Sequence, residues 1–311
     1  VGATDNEESQ TACPTASAAV PTPPTVSTEA LERVTVVVVT FDSRHCLDAQ
    51  LPLLRACPHV IVVDNGSADG TPEAVRLALP HATLIALNRN LGFGAANNLA
   101  LAQVATKFAL LLNPDCSLNI QGLCALVARA QTFPDAAIVA PQLINAEGQC
   151  EINYRWPLTS WRSRGPGAEA VTCVGFVCGA AMLLRTQAIR QIGGFDERFF
   201  LYYEDDDLCL RVRQAGQTIL IDPEIRAKHR SRGSVQGPRV LRAEWLRGYH
   251  HTRSKLLFFE KHTGLQAAQS LRRRVLLASL VGLPLRLLLP VPKHVARWLG
   301  RCTAAIVWKH G

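Results

Sequence analysis

The chain has 311 residues, 48% of them hydrophobic, enough to bury a sizeable core and to exclude wholesale disorder. Its formal net charge of +8 is unevenly spread: residues 1–225 hold 15 basic and 23 acidic side chains, residues 226–311 hold 18 basic and 2 acidic. This excludes a uniformly basic nucleic-acid coat and describes an acidic body with a basic C-terminal quarter, for which no nucleic-acid partner is expected.

Residues 1–32 are rich in Thr, Ala, Pro and Ser, lack hydrophobic periodicity and read as a disordered leader. No basic stretch followed by an apolar one opens the chain, so no secretory signal is expected. The ten cysteines are scattered through hydrophobic runs and no pair has zinc-type spacing, which predicts reduced, buried thiols and a cytoplasmic protein.

Order begins at Val34. The β-branched run 34–40 suits a fully buried parallel strand, as does V-I-V-V at 60–63. Helical stretches near Thr71–Leu79 and Ala95–Ala105 alternate with strands at Ala82–Leu87 and Phe108–Leu112. This alternation predicts an α/β protein with a mostly parallel sheet flanked by helices, which binds its ligand at the carboxyl ends of the strands. Four polar clusters fall at those ends: Thr40-Phe41-Asp42, Asp64-Asn65-Gly66-Ser67, Asn88 to Gly94, and Asn113-Pro114-Asp115. Singly, each is ordinary turn or capping chemistry; together they outline a cleft for a polar, phosphorylated ligand. A dinucleotide site is disfavoured, because no G-x-G-x-x-G follows the first strand.

Residues 145–170 read as a loop and Val171–Leu184 as a hydrophobic stretch whose Gly175/Gly179 spacing serves packing. The densest polar cluster follows, G-G-F-D-E-R-F-F-L-Y-Y-E-D-D-D-L-C-L-R at 193–211, its latter part helical and ended by Gly216. The carboxylates 204–207 could simply meet the positive end of a helix dipole. Placed between two apolar runs, at least one should face an interior cleft, where burial beside another acid suits it to general-base work. Asp115, at a strand's carboxyl end, is placed either to cap the next element or to hold a hard divalent cation. His229, in a basic loop after a strand-like segment, would be a surface residue or a second metal or phosphate ligand.

With these residues assembled, the chain resembles family 2 glycosyltransferases of the GT-A fold, most closely their rhamnosyltransferase-like branch. The likeness spans about residues 34–262. It rests on the order and spacing of V-V-V-V-T-F-D, V-V-D-N-G-S-x-D-G-T, N-x-N-x-G-F-G-A-A-N-N, L-L-N-P-D, G-G-F-D-E-R-F-F-L-Y-Y-E-D-x-D-L-C-L-R and a downstream H-x-x-x-x-S. The resemblance implies inverting transfer of a sugar from a nucleoside-diphosphate donor, best dTDP-L-rhamnose, to a lipid-linked or growing cell-surface polysaccharide. It implies that Thr40, Asp42 and Asp64 bind base and ribose, with Asn90, Gly92, Phe93, Gly94 and Asn113 along the nucleotide sugar. Asp115 and His229 would hold Mg²⁺ or Mn²⁺, and Asp205 would be the catalytic base, with Glu204 and Asp207 orienting it or the acceptor. The metal motif departs from the family's two-acid pattern, having only Asp115. The alternatives are a noncatalytic nucleotide-sugar-binding protein on the same fold, or a donor carrying galactofuranose, N-acetylglucosamine or glucose. A nucleotidyltransferase would place a Gly-rich basic loop after the first strand, where this chain has T-F-D-S-R-H.

These readings divide the chain into a leader (1–32), a catalytic domain (33–264) and a basic amphipathic helical tail (265–311). The apolar run Val275–Leu285 is too short to span a bilayer, which takes about 20 residues. The tail is expected to lie on the inner face of the cytoplasmic membrane, with Arg272–Arg274, Arg286, Lys293 and Arg297 at anionic headgroups. Alternatively it packs on the catalytic domain or on a second copy in a homo-oligomer.

Overall fold

A computed structural model describes residues 27–155, 167–230, 240–288 and 291–309, with the side chains of 283–288 excepted. In chain order the elements are α1 (Thr28–Glu32), β1 (Val34–Thr40), α2 (Leu51–Ala56), β2 (Val60–Asp64), α3 (Thr71–Ala78), β3 (Thr83–Ala86), α4 (Phe93–Gln103), β4 (Phe108–Leu112), β5 (Cys116–Ser117) and α5 (Ile120–Thr132). Then come β6 (Ala136–Ile144), β7 (Cys150–Glu151), β8 (Tyr154–Arg155), β9 (Thr172–Cys173), β10 (Phe176–Val177), β11 (Ala181–Arg185), α6 (Thr186–Gln191), α7 (Glu204–Gln214) and β12 (Thr218–His229). Three long helices close the chain: α8 (Val240–Thr263), α9 (Leu265–Leu288) and α10 (Pro292–Val307).

The main sheet runs β3-β2-β1-β4-β11-β6-β12-β5. Every residue of β1, β2 and β4 is buried, as expected of runs without polar alternation. Their side chains nevertheless alternate between two cores. Val34, Val36, Val38, Val60, Val62, Leu110 and Leu112 fill one face of the sheet, and Val37, Val39, Ile61, Val63, Ala109 and Leu111 the other. Each of these valines, leucines and isoleucines contributes about 1.5–3 kcal/mol of hydrophobic stabilisation.

β1 pairs parallel with both β2 and β4. The chain therefore leaves β1 in one direction for β2 and β3 and returns to its other side for β4, making the crevice at their carboxyl ends a switch point. β11 then lies antiparallel between β4 and β6. The hydrophobic stretch Val171–Leu184 thus divides into β9, β10 and most of β11, and the antiparallel run of β11 delivers its entry, Gly179-Ala180, to the carboxyl end of β4.

The disordered leader expected over 1–32 is corrected at its end, since Thr28–Glu32 is helical with Leu31 in the core; residues 1–26 lie outside the described residues. Eight described cysteines carry free thiols, but Cys173 is disulfide-bonded, which corrects the expectation of uniformly reduced cysteines. Among the tail's basic residues, Arg272 and Arg297 are not turned to headgroups. Arg272 Nε donates to the Ala305 carbonyl at 2.6 Å, and Arg297 Nε donates to Glu244 at 2.6 Å across the α8–α10 contact. That contact is close enough to need glycine on both sides: a Cβ on Gly248 would lie 2.0 Å from the Arg297 carbonyl oxygen, and one on Gly300 2.0 Å from that of Trp245. Among the described residues no helix is long and apolar enough to cross a membrane.

Candidate active site

The site begins where β1 and β2 end in register, Thr40 opposite Asp64. Asp64 is buried and accepts from Thr40 Oγ1 (2.9 Å), Ser67 Oγ (2.6 Å) and Ser67 N (2.9 Å). Asp42 follows at φ +48°, donating its N–H to Ser67 Oγ at 2.8 Å while its carboxylate accepts from Ala68 N at 2.8 Å. Thr40, Asp42 and Asp64 are thereby one hydrogen-bonded unit, with Asp42 exposed and Asp64 forming the floor.

Asn65 ties this unit to the next loop. Its Oδ1 accepts from Leu91 N (2.8 Å) and its Nδ2 donates to the Gly92 carbonyl (3.1 Å), while Asn90 Oδ1 accepts from Gly92 N (2.9 Å). Gly92 sits at φ +93°, where an added Cβ would lie 2.4 Å from the Phe200 carbonyl oxygen, the same oxygen that accepts from Phe93 N at 3.0 Å. Only glycine fits that close approach. A Cβ on Gly94 would come 3.6 Å from Glu204 Cβ, so the start of α4 lies against the start of α7.

At the end of β4, Asn113 N donates to the Ala180 carbonyl at 2.9 Å. One residue earlier, Gly179 N donates to Asp205 Oδ2 at 3.1 Å. The dipeptide Gly179-Ala180 therefore joins the start of α7 to Asn113-Pro114-Asp115. His229 reaches Asp115 because β12 pairs with β5, placing His229 opposite Cys116. His229 Nε2 lies 3.5 Å from Asp115 Oδ1, with both side chains mostly buried. Among the described residues no group of three or more His, Cys, Asp or Glu could hold a metal. One carboxylate beside one imidazole fits an ion whose remaining ligands are diphosphate oxygens and water, as Mg²⁺ sites on nucleotides are built.

The carboxylates that open α7 are unevenly supplied with donors: Asp205 accepts from Gly179 N and Asp206 N, and Asp206 pairs with Arg155. Burial, reinforced by the charge of Asp205, pushes the Glu204 carboxyl well above the usual range, and Glu204 Oε2 is buried without a hydrogen-bond partner. Burial also raises Asp205, with partial relief from the Gly179 N–H and Arg155. Asp206 is pushed up to about 7 by burial and then by Asp205, against the pull of its ion pair with Arg155. Carboxyls raised by burial and by each other are suited to taking up a proton.

Asp207 is engaged elsewhere. It is fully buried and meets Arg211 Nε at 2.7 Å, Lys261 Nζ at 2.6 Å and His262 Nε2 at 2.7 Å. The structure thus brings Thr40, Asp42, Asp64, Asn90, Gly92, Phe93, Gly94, Asn113, Asp115, Glu204, Asp205 and His229 around one crevice and leaves Asp207 out of it. Sequence reasoning missed Gly179, Arg155 and Lys261. Gly179 carries a signal, a glycine just before a buried strand, but its spacing from Gly175 suits packing equally well. Arg155 and Lys261 had none, because their partners lie 51 and 54 residues away.

The Glycosyl transferase family 2 model matches residues 35–193 and the Glycosyl transferase family group 2 model residues 122–308. The chain belongs to the family 2 glycosyltransferases, and it is a rhamnosyltransferase-like member with the GT-A fold. It is 28% identical over 265 residues to the N-acetylglucosaminyl-diphospho-decaprenol L-rhamnosyltransferase of Mycobacterium tuberculosis, covering 74% of this chain and 85% of that one. It is 25% identical over 162 residues to rhamnosyltransferase WbbL of Escherichia coli, covering 44% of this chain and 60% of that one. In fold it matches the mannosyltransferase PcManGT from Pyrobaculum calidifontis, solved with GDP-Man and Mn²⁺, at TM-score 0.53 and 18% identity over 88% of this chain and 86% of that one.

Proposed function

We propose that this glycosyltransferase transfers L-rhamnose, with inversion, from dTDP-rhamnose to a lipid-linked saccharide, with Asp205 as general base and a divalent metal held by Asp115 and His229. The observation that supports the reading is the Gly179-Ala180 bridge: Gly179 N donates to Asp205, and the Ala180 carbonyl accepts from Asn113 N, two residues before Asp115. Asp205 takes the proton of the acceptor hydroxyl as its oxygen bonds to the anomeric carbon; the bond from that carbon to the diphosphate breaks and its electron pair leaves with the nucleotide. Mg²⁺ or Mn²⁺ bound there supplies electrostatic stabilisation of the diphosphate. The donor sugar follows the M. tuberculosis and E. coli relatives, whose names specify rhamnosyl transfer. The Thr40–Asp42–Asp64 unit then supports base and ribose, and the Asn90–Gly94 loop the nucleotide sugar. A thermal-shift screen of nucleotide sugars with and without Mn²⁺ tests the donor, because a bound ligand stabilises as ln(1 + [L]/Kd). The largest shift should come from dTDP-rhamnose with Mn²⁺; a larger one from another sugar overturns the assignment.

Peripheral attachment to the inner face of the cytoplasmic membrane belongs to the same proposal. Its support is the outer face of α9, where exposed Arg273 and Arg274 precede exposed Leu277, Leu280 and Val281 at helical spacing. Vesicles containing phosphatidylglycerol should sediment the protein, and Leu277→Glu with Leu280→Glu should release it; unchanged sedimentation removes α9 from the membrane contact.

A further inference from the structure

The segment from Gly193 to Asp207 carries the proposed base, yet little of it is regular structure before α7 begins. Two of its residues, Tyr202 (φ +67°) and Tyr203 (φ +71°), hold left-handed conformations that side chains disfavour at a cost of about 1–3 kcal/mol each. Such a turn persists only if its surroundings impose it. Those surroundings are one face of α8. His250 stacks on Phe200 at 4.5 Å, His251 meets the rings of Tyr202 and Tyr203 edge-on at 5.6 and 5.5 Å, and Ser254 Oγ donates to the Leu201 carbonyl at 2.9 Å. Phe258 packs on Tyr203 at 5.5 Å, and Lys261 and His262 reach Asp207. Positions 250/251, 254, 258 and 261/262 recur every three or four residues, which places them on one helical stripe.

Lys261 is the point where both ends of the segment meet. Its Nζ donates to Asp196 Oδ2 at 2.8 Å and to Asp207 Oδ1 at 2.6 Å. Asp207 in turn binds Arg211, whose guanidinium donates to the carbonyls of Ile192 (2.7 Å) and Gly194 (2.6 Å). Between these clamps, Phe200 presents its carbonyl to Phe93 N on the donor loop.

We propose that Lys261 is a positioning residue for transfer: through Asp196 and Asp207 it fixes the 196–207 turn and so aims Asp205 at the acceptor hydroxyl. The inference rests on Asp205 being the base, and it makes α8 part of the catalytic unit although the helix contributes no group to the reaction. A misplacement of about 1 Å at the reacting atoms costs on the order of 10²-fold in rate.

The test uses the full chain and two independent readouts. In Lys261→Met, amide hydrogen exchange over residues 199–207 should quicken relative to the β1, β2 and β4 strands. With dTDP-rhamnose, Mn²⁺ and an N-acetylglucosaminyl-diphospho-lipid, kcat should fall about 10²-fold while Kd for dTDP with Mn²⁺ is unchanged, and Lys261→Arg should recover most of it. Because Lys261→Met strands buried carboxylates and could unfold the chain, Ser254→Ala serves as a second variant that leaves no charge unpaired. It should produce the same local exchange and lower kcat about fivefold, the equivalent of about one hydrogen bond. Wild-type exchange over 199–207, or quickened exchange with wild-type kcat, overturns the proposal, as does a matching loss of dTDP affinity. If the wild type fails to turn over dTDP-rhamnose, the donor assignment fails instead, and hydrogen exchange alone decides whether Lys261 holds the turn.

Discussion

The crevice is edged by two groups of acids that the sequence spells alike and the fold treats in opposite ways. At the ends of β1 and β2, Asp64 accepts three hydrogen bonds, and the N–H and hydroxyl donors around Asp69, Thr71 foremost, hold its carboxyl below the usual range against the opposing effect of burial. At the start of α7, Glu204, Asp205 and Asp206 are buried and are all raised. The hydrogen-bonded group at the strand ends suits ligand binding; the α7 group, whose carboxyls burial raises, suits proton transfer. What separates them is how far burial among neighbouring acids outweighs the donors present, not the residue type.

The sharpest way to break this contrast is Asp205→Asn. If the α7 group handles the proton, turnover should fall about 10²–10⁴-fold while calorimetric affinity for dTDP with Mn²⁺ stays at the wild-type value. An active Asn variant would end the base assignment. Asp115→Ala probes the binding edge and should weaken dTDP affinity about tenfold or more only when Mn²⁺ is present, since even an outer-shell partner of a metal ligand is worth that much. Equal weakening with and without Mn²⁺ would assign Asp115 a merely structural part.

The two edges also differ in how far they could be read in advance. Strands 34–40, 60–63 and 108–112 were legible because uninterrupted β-branched or aliphatic runs have few other uses, and the polar residues that end them inherit their places from the parallel register. The acids of α7 were legible as a helix start. Their environment was not, because it depends on partners distant in sequence: Gly179, brought in by the antiparallel entry of β11, Arg155 from β8, and Lys261 from α8. The same limit hid the surroundings of Asp207, for which the resemblance implies an orienting part and which Arg211, Lys261 and His262 hold. It also misplaced Arg272 and Arg297, whose charges suggest headgroups until α10 is seen against its neighbours.

A finer probe of the contrast is Arg155→Gln. The Arg155 guanidinium stacks on Phe176 at 3.8 Å and pairs with Asp206, holding the Asp206 and Asp205 carboxyls lower than burial alone would set them. Removing the cation raises both, and because the base must be ionised, the acid limb of kcat should move to higher pH by about one pH unit. Stability gives an independent check on the sign. Asp206 titrates at about 7 in the folded chain against an ordinary 3.8, so between those values the folded state holds a proton that the unfolded state has released. Its contribution to stability therefore falls as pH rises through that window, and Arg155→Gln extends the fall upward. The urea midpoint of the variant should drop more than that of the wild type between pH 5 and pH 8. If the limb moves to lower pH, or the two midpoints keep pace, the charge of Arg155 does not govern the α7 acids, whose raised carboxyls then follow from burial and from one another.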